Sequence, residues 1–287
     1  MGRMERMKQM ILDDAGEMKT AHGRVYKVLS LKQRDVVALE SGITRKEVET
    51  AALDLEVIPE RYSRNLGFIG IEGQKRLLRS CVLLVGLGGL GGTVAELLAR
   101  VGVGRLVVVD GDDFNESNLN RQALCSEETI GRSKVEVAVE RLKCINSAME
   151  VTAIKQFIND RHANSLPDGA DVVVDALDSL PGRYLLEKKA RDLKVPLVHG
   201  AVAGFTGQVG VIFPKDRGFA AVYGLPQGED SKGGLAVEFG NSAAVVSTVA
   251  ALQVQEIVKI IVNVGEVLRN KLLCIDFLEV EFRKMDI

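Results

Sequence analysis

The chain has 287 residues, 46% of them hydrophobic and 26% charged, enough to bury one large core or a core with a small appendage. A formal net charge of −2 and a pI near 6.0 give no general attraction to nucleic acid or to a membrane surface. The opening "MGRMERMKQMILDD" is too charged for a secretory signal and no apolar run reads as long enough to cross a bilayer, so a cytoplasmic protein with no membrane partner is expected.

Residues 1–59 read as a helical N-terminal arm. In "SLKQRDVVALESGITRKEVETAALDLEV", Ser30 is placed to cap one short helix and Gly42 to end it, while Thr44 and Glu47 form the capping box of a second. A helix-turn-helix that reads DNA and an arm that packs on the rest of the protein share this pattern. Nothing marks a recognition helix, so the packing arm is adopted and nucleic acid is not expected as a partner.

After Pro59 the pattern alternates. "CVLLVG" is a continuous apolar run, "LGGTVAELLARVG" has helical spacing, and "RLVVVD" is a second apolar run. "KVEVAVERLKCIN", "VTAIKQF", "DVVVDALD", "PGRYLLEKKARDLK" and "VPLVHG" continue the alternation. Residues 60–287 are therefore expected to form an α/β domain. Its core is a Rossmann-like, doubly wound, mostly parallel sheet. That sheet continues into antiparallel strands at "GQVGVIFP", "NKLLCIDF" and "LEVEFRK", with the long helix "SAAVVSTVAALQVQEIVKIIV" between them. Such sheets place ligands at the carboxyl ends of their strands, where Asp110 and Asp178 fall. Cys81, Cys125, Cys144 and Cys274 stand far apart with no C-x-x-C pair; most are expected to be small buried hydrophobes.

The loop "GLGGLG", Gly86 to Gly91, joins the first apolar run to the first helix. Glycines there permit a tight turn and bring a phosphate close to backbone N–H groups at the positive end of the helix. Asp110 follows about twenty residues on, a spacing suited to a ribose hydroxyl. A dinucleotide site has no use for the cluster behind it, "SNLNRQ", in which Ser117, Asn118, Asn120, Arg121 and Gln122 crowd together, nor for Lys134 in "GRSK". An added Arg and Lys suit a triphosphate whose charge must be neutralised while a bond breaks, so ATP is expected. Asp178 in "DALDS" is then a candidate magnesium ligand. Taken singly, Arg121 and Lys134 also read as solvated charges and Asp178 as a helix N-cap. His22, His162 and His199 are scattered and read as structural.

Together "RYSRNLG", "VLLVGLGGLGG", "VVVDGDDFNESNLNRQ", "IGRSKVEVA" and "VVVDALDS" are similar to the HesA/MoeB/ThiF family, prokaryotic relatives of the ubiquitin-activating enzymes, from about Arg61 to the C-terminus. The resemblance implies an enzyme that binds ATP and magnesium and adenylates the C-terminal glycine carboxylate of a ubiquitin-like sulfur-carrier protein ending in Gly-Gly, with release of pyrophosphate. It implies nucleotide contacts at Gly86, Gly88, Gly89, Gly91, Asp110, Asp112, Ser117, Asn118, Arg121 and Lys134, with Asp110 on the ribose and Asn118, Arg121 and Lys134 on phosphates. Asp178 would hold magnesium. Arg64 resembles the arginine that reaches the triphosphate of the partner subunit in a homodimer, so Arg64, Arg121, Lys134 and Asp178 form the implied catalytic set.

Two departures from the family shape the expectation. Relatives carry two C-x-x-C pairs for a structural zinc where this chain reads "AAVYGLP" and "FRKMDI", so no zinc is expected. Relatives with covalent intermediates place a cysteine in the crossover segment, where Ala236 stands here, so adenylation without covalent catalysis is expected. The glycine-rich residues 224–240 are read as a segment that closes over a threaded tail. Three other readings share parts of the pattern: a nicotinamide- or flavin-dependent oxidoreductase, a non-catalytic nucleotide-sensing regulator, and a tRNA-modifying dehydratase with the same adenylation core.

Overall fold

The first 59 residues fold around a core of their own. In the computed structural model, which describes residues 2–19, 23–225 and 240–287, helix α1 (Arg3–Asp14) buries Met7 and Ile11, four residues apart on one face. They pack with Leu29, Val37, Val48, Ala51, Ala52 and Val57. Helix α2 (Leu31–Ser41) starts where Ser30 Oγ accepts from the Gln33 N–H at 3.3 Å and Gln33 Oε1 accepts from the Ser30 N–H at 2.9 Å. It stops at Gly42, whose φ of 61° is left-handed. Helix α3 (Arg45–Asp54) opens on the Thr44–Glu47 capping box.

The arm is not wholly helical, which corrects the sequence expectation. Strands β1 (Gly16–Lys19) and β2 (Val25–Leu29) pair antiparallel, and β2 pairs parallel with β3 (Val57–Pro59). "GEMK" has no apolar alternation because neither of its faces is buried, and β3 is three residues long, so neither carries the period-2 signal of a strand.

From residue 66 onward, alternate residues of each central strand feed two separate cores. The elements are α4 (Leu66–Arg79), β4 (Cys81–Val85), α5 (Gly89–Val101), β5 (Arg105–Val109), α6 (Lys134–Ile145) and β6 (Glu150–Ile154). Then come α7 (Asp160–Ser165), β7 (Val172–Asp175), α8 (Leu180–Leu193), β8 (Leu197–Ala203), β9 (Thr206–Ile212) and α9 (Phe219–Tyr223). The described chain ends with Ala243–Val262, here α10, and the hairpin β10 (Lys271–Asp276) and β11 (Glu281–Asp286). Val82, Leu84, Leu106, Val108, Val172 and Val174 point to the α5, α6 and α10 side; Leu83, Val85, Val107, Val109 and Val173 point to Leu186, Ala190 and Phe219 of α8 and α9. The continuous apolar runs are thus the mark of a sheet covered on both faces.

The strand order is β11-β10-β9-β8-β7-β4-β5-β6. Strands β4 to β8 pair in parallel, and β9, β10 and β11 add antiparallel, so the doubly wound sheet with an antiparallel extension is observed as expected.

Two sequence expectations are corrected. Helix α10 is 20 residues long and apolar enough to cross a membrane by length and composition, although no such run was expected. Its apolar residues, among them Val246, Val249, Ala250, Ile257 and Val258, lie in the core beside α5. Of the four cysteines only Cys81 is buried; Cys125 and Cys274 are half-buried and Cys144 is exposed, all free thiols.

A very tight backbone approach lies where β4 turns into α5. A Cβ on Gly91 would sit 1.8 Å from the Gly86 carbonyl oxygen, and Gly86, with φ 95°, would place a Cβ 2.4 Å from the Ala176 carbonyl oxygen. Gly91→Ala must therefore push α5 off the sheet, at a cost of about 1–3 kcal/mol by the usual scale of overpacking. Gly67→Ala, where nothing lies within 4 Å of the added carbon, serves as control. Denaturant midpoints of the two variants check this; equal midpoints would show that the turn yields freely.

Candidate active site

The carboxyl ends of β4, β5 and β7 open into a cavity of about 1560 Å³. Gly86, Gly88 and Gly89 form one wall, at the N-terminus of α5, where no side chain caps the first turn. Its N–H groups and the positive end of the helix therefore favour an anion. Asp110 straps this turn: Oδ2 accepts from the Leu87 N–H at 2.6 Å and Oδ1 from the Asp112 N–H at 2.8 Å. Burial pushes the Asp110 carboxyl above its ordinary range, against the pull of those two N–H donors and of Lys134.

The loop behind β5 supplies the cations. Lys134, at the start of α6, is buried, with Nζ 3.1 Å from Asp112 Oδ2 and 6.0 Å above the Phe114 ring. Arg121 Nη1 is tethered by the Ser117 carbonyl and Asn120 Oδ1, both at 2.8 Å, and so is held at the wall by neutral groups. Ser117 and Asp112 also line the cavity. Asp178 lines it from the β7–α8 turn with an exposed carboxylate; Ser179, not Asp178, occupies the N-cap position of α8. The structure therefore brings together Gly86, Gly88, Gly89, Asp110, Asp112, Ser117, Arg121, Lys134 and Asp178.

Three expected residues lie elsewhere. Gly91 packs against the Gly86 carbonyl and does not reach the wall. Asn118 is buried, its Oδ1 accepting from the Asn115 N–H at 3.1 Å, so it shapes the loop from within. Arg64 is exposed and outside the cavity of its own chain. Ala236, His22 and most of residues 224–240 lie outside the described residues.

Sequence reasoning missed a polar cluster on the far wall. Asp175, fully buried at the end of β7, accepts from the Leu177 N–H at 3.0 Å through Oδ1. Its Oδ2 lies 2.7 Å from His199 Nδ1 and 3.4 Å from Arg183 Nε. His199 Nε2 lies 2.9 Å from the Tyr223 hydroxyl, which also meets Gln208 Nε2 and, at 3.3 Å, Arg183 Nη1. Two donors aimed at the phenol oxygen leave its proton for His199 Nε2, which puts the imidazole's own proton on Nδ1, facing Asp175. Burial holds His199 below its ordinary pKa, so it is neutral, and pushes the Tyr223 phenol up to about 12. Of this cluster Arg183, Gln208 and Tyr223 line the cavity. Asp175 and His199 meet across adjacent strands, and only the first Asp of "DALD", at a strand end, hinted at it. Gln122, also on the wall, is buried with Oε1 unpartnered.

The model of the ThiF family matches residues 62–287. The SAMP-activating enzyme E1 of Haloferax volcanii is 35% identical over 235 residues, covering 81% of this chain and 86% of that protein. The sulfur carrier protein adenylyltransferase of Thermus thermophilus is 36% identical over 236 residues, covering 79% of this chain and 87% of that protein. Plant and insect relatives named adenylyltransferase and sulfurtransferase MOCS3 are longer, and the chain spans 53% of one and 48% of another. Among solved structures, the crystal structure of E. coli MccB with ATP superposes with a TM-score of 0.67 at 23% identity, covering 88% of this chain and 82% of that one, a likeness of fold. With the glycine turn, the strand order and the Asp110-to-Lys134 loop in place, the match over residues 62–287 establishes that the chain belongs to the ThiF family.

Proposed function

We propose that the protein is an ATP-dependent adenylyltransferase that activates the C-terminal glycine carboxylate of a ubiquitin-like sulfur-carrier protein and releases pyrophosphate. The observation that carries this reading is the convergence of an uncapped helix N-terminus, Lys134, Arg121 and Asp178 on one cavity. Relatives named as a SAMP-activating enzyme and a sulfur carrier protein adenylyltransferase, matched over most of their length, support it.

The residues present fit the nucleotide. The Gly88 position is open, with Gln122 Nε2 3.8 Å from a notional Cβ, and the unpartnered Gln122 Oε1 is a buried acceptor without a donor. Asp110 would hold the ribose, and Arg121 and Lys134 the phosphates. The fit extends to magnesium: a hard cation of this size takes one or two carboxylates plus phosphate oxygens, and Asp178 offers one carboxylate that makes no hydrogen bond or ion pair among the described residues. Bound there, magnesium would offset charge on the departing pyrophosphate. The chemistry needs no protein nucleophile. An ionised carboxylate oxygen bonds to the α-phosphorus, the bond to pyrophosphate breaks, and fixed cations and backbone N–H groups stabilise the added charge.

Incubated with ATP, magnesium, labelled pyrophosphate and a Gly-Gly carrier, the protein should carry label into ATP, because labelled pyrophosphate attacks the carrier adenylate and re-forms ATP with release of the carrier carboxylate. Lys134→Ala or Arg121→Ala should slow that exchange by on the order of 10²–10³, the usual cost of one electrostatic donor. Tight NAD binding with no exchange for any carrier tried would overturn the reading.

Arg64 extends the proposal to assembly. Its exposure, outside its own chain's cavity, supports a role in the site of a neighbouring subunit of a homodimer. Arg64→Ala and Lys134→Ala should each be nearly inactive alone. After subunit exchange, activity of the heterodimers should recover toward about half of wild type, because one of two sites then has both residues. No recovery in a mixture shown to contain heterodimers would place Arg64 in its own chain's chemistry or outside it altogether.

A further inference from the structure

Leu177 immediately precedes Asp178, and side chains claim both of its backbone polar groups. Its N–H donates to Asp175 Oδ1 at 3.0 Å and its carbonyl accepts from Arg183 Nη2 at 2.7 Å. Asp175 is itself held from the other face of the sheet, where Gln253 Nε2 donates to its carbonyl at 2.9 Å. Room for that glutamine exists because Gly200 lacks a side chain; a Cβ there would lie 2.3 Å from the Gln253 amide carbon. The two groups that pin Leu177 meet at His199 and Tyr223. His199 Nδ1 faces Asp175 Oδ2, and the Tyr223 hydroxyl joins His199 Nε2 to Arg183 Nη1. Ring contacts fix the imidazole as well, edge-on to Phe219 at 5.0 Å and to Tyr223 at 5.8 Å.

We propose that His199 and Tyr223 are positioning residues that act through Asp175 and Arg183 to lock the Asp175–Asp178 turn, and so aim the Asp178 carboxylate at a divalent cation held with the nucleotide phosphates. The proposal rests on the reading of Asp178 as the cation's ligand. A fully buried carboxylate such as Asp175 tolerates no freedom in its partners, since each lost hydrogen bond leaves it uncompensated. Losing the His199 donor therefore lets the Asp175 carboxylate rotate away from the Leu177 N–H. Losing the phenol frees Arg183 Nη1. Either change releases Asp178, whose own side chain has nothing else among the described residues to orient it. A histidine that merely filled the core would lower stability on removal and leave cation affinity alone.

Manganese(II), followed by its electron paramagnetic resonance in the presence of a non-hydrolysable ATP analogue, reads cation affinity without turnover. Asp178→Ala should weaken it strongly. His199→Phe and Tyr223→Phe should each weaken it roughly tenfold, the lower end of what outer ligand partners contribute, with the metal-free affinity for the analogue unchanged. His199→Asn keeps an N–H that reaches Asp175 and should recover most of the loss. Melting curves report folding; if His199→Phe does not fold, Tyr223→Phe, which keeps its ring, decides the matter. Wild-type manganese affinity in folded Tyr223→Phe, beside a weakened Asp178→Ala, would overturn the coupling alone. Wild-type affinity in Asp178→Ala would remove Asp178 as the ligand, and the proposal with it.

Discussion

The contact between the backbone of Gly91 and that of Gly86 sets the position of everything the cavity contains. Helix α5 can follow β4 so closely only because Gly91 has no Cβ, whose place the Gly86 carbonyl takes. That approach directs the uncapped first turn of α5 at the end of the sheet. The turn is then braced from both neighbouring strands. Asp110 at the end of β5 takes the Leu87 N–H, and the Ala176 N–H, just after β7, donates to the Val85 carbonyl at 3.0 Å. One steric fact thus aligns the helix dipole with the acidic strand end and with the turn that carries Asp178.

The charges around the cavity are arranged so that an incoming polyanion replaces weak partners. Lys134 is buried, yet its partner is the half-exposed Asp112, while Arg121 is held by a carbonyl and an amide oxygen. A cation stored against a solvated carboxylate gives up little when a phosphate arrives, because the partner's charge returns to water at small cost. The far wall is the opposite case. Asp175 and Arg183 are both buried and close to each other, and His199 is kept neutral by burial, so that region presents hydrogen bonds but little net charge. The cavity is cationic at Lys134 and Arg121, where phosphates would lie, and presents mainly hydrogen bonds at the wall formed by Arg183, Gln208 and Tyr223.

Much of this was legible in the residues because it depends on local rules. Glycine spacing after an apolar run, a capping box at Thr44 and Glu47, and apolar runs too continuous for a one-faced sheet are short-range signals, and each marks its element here. What stayed hidden depends on pairing between distant segments. β1 and β3 are too short and too weakly patterned to register, and α1 looked merely charged although Met7 and Ile11 stand on one face. Asn118 sits in the right motif, yet its amide oxygen turns inward to accept from the Asn115 N–H as the i+3 member of a capping box, a local use of the residue that the phosphate reading passed over. His199 looked isolated because its partners, Asp175 and Tyr223, lie 24 residues away on either side and meet it only once β7 and β8 pair.

The arm, whose sequence offered no functional signal, acquires a physical role from where it attaches. Glu49 of α3 is buried between Arg34 at 2.7 Å and the Tyr62 hydroxyl at 3.0 Å, and that hydroxyl accepts from Asn146 Nδ2 at 3.1 Å, beyond the end of α6. Tyr62 in turn presses on Gly102, the left-handed residue that ends α5, where a Cβ would lie 2.5 Å from its ring. Helix α5 is therefore clamped at both ends by glycines, at Gly91 against the sheet and at Gly102 against the Tyr62–Glu49 network. Breaking a buried charge pair such as Arg34–Glu49 is costly because it strands the remaining charge, so the clamp at the arm end resists sliding of α5 along its axis. The N–H groups that face the cavity are thus held in place partly by residues at the opposite end of the same helix.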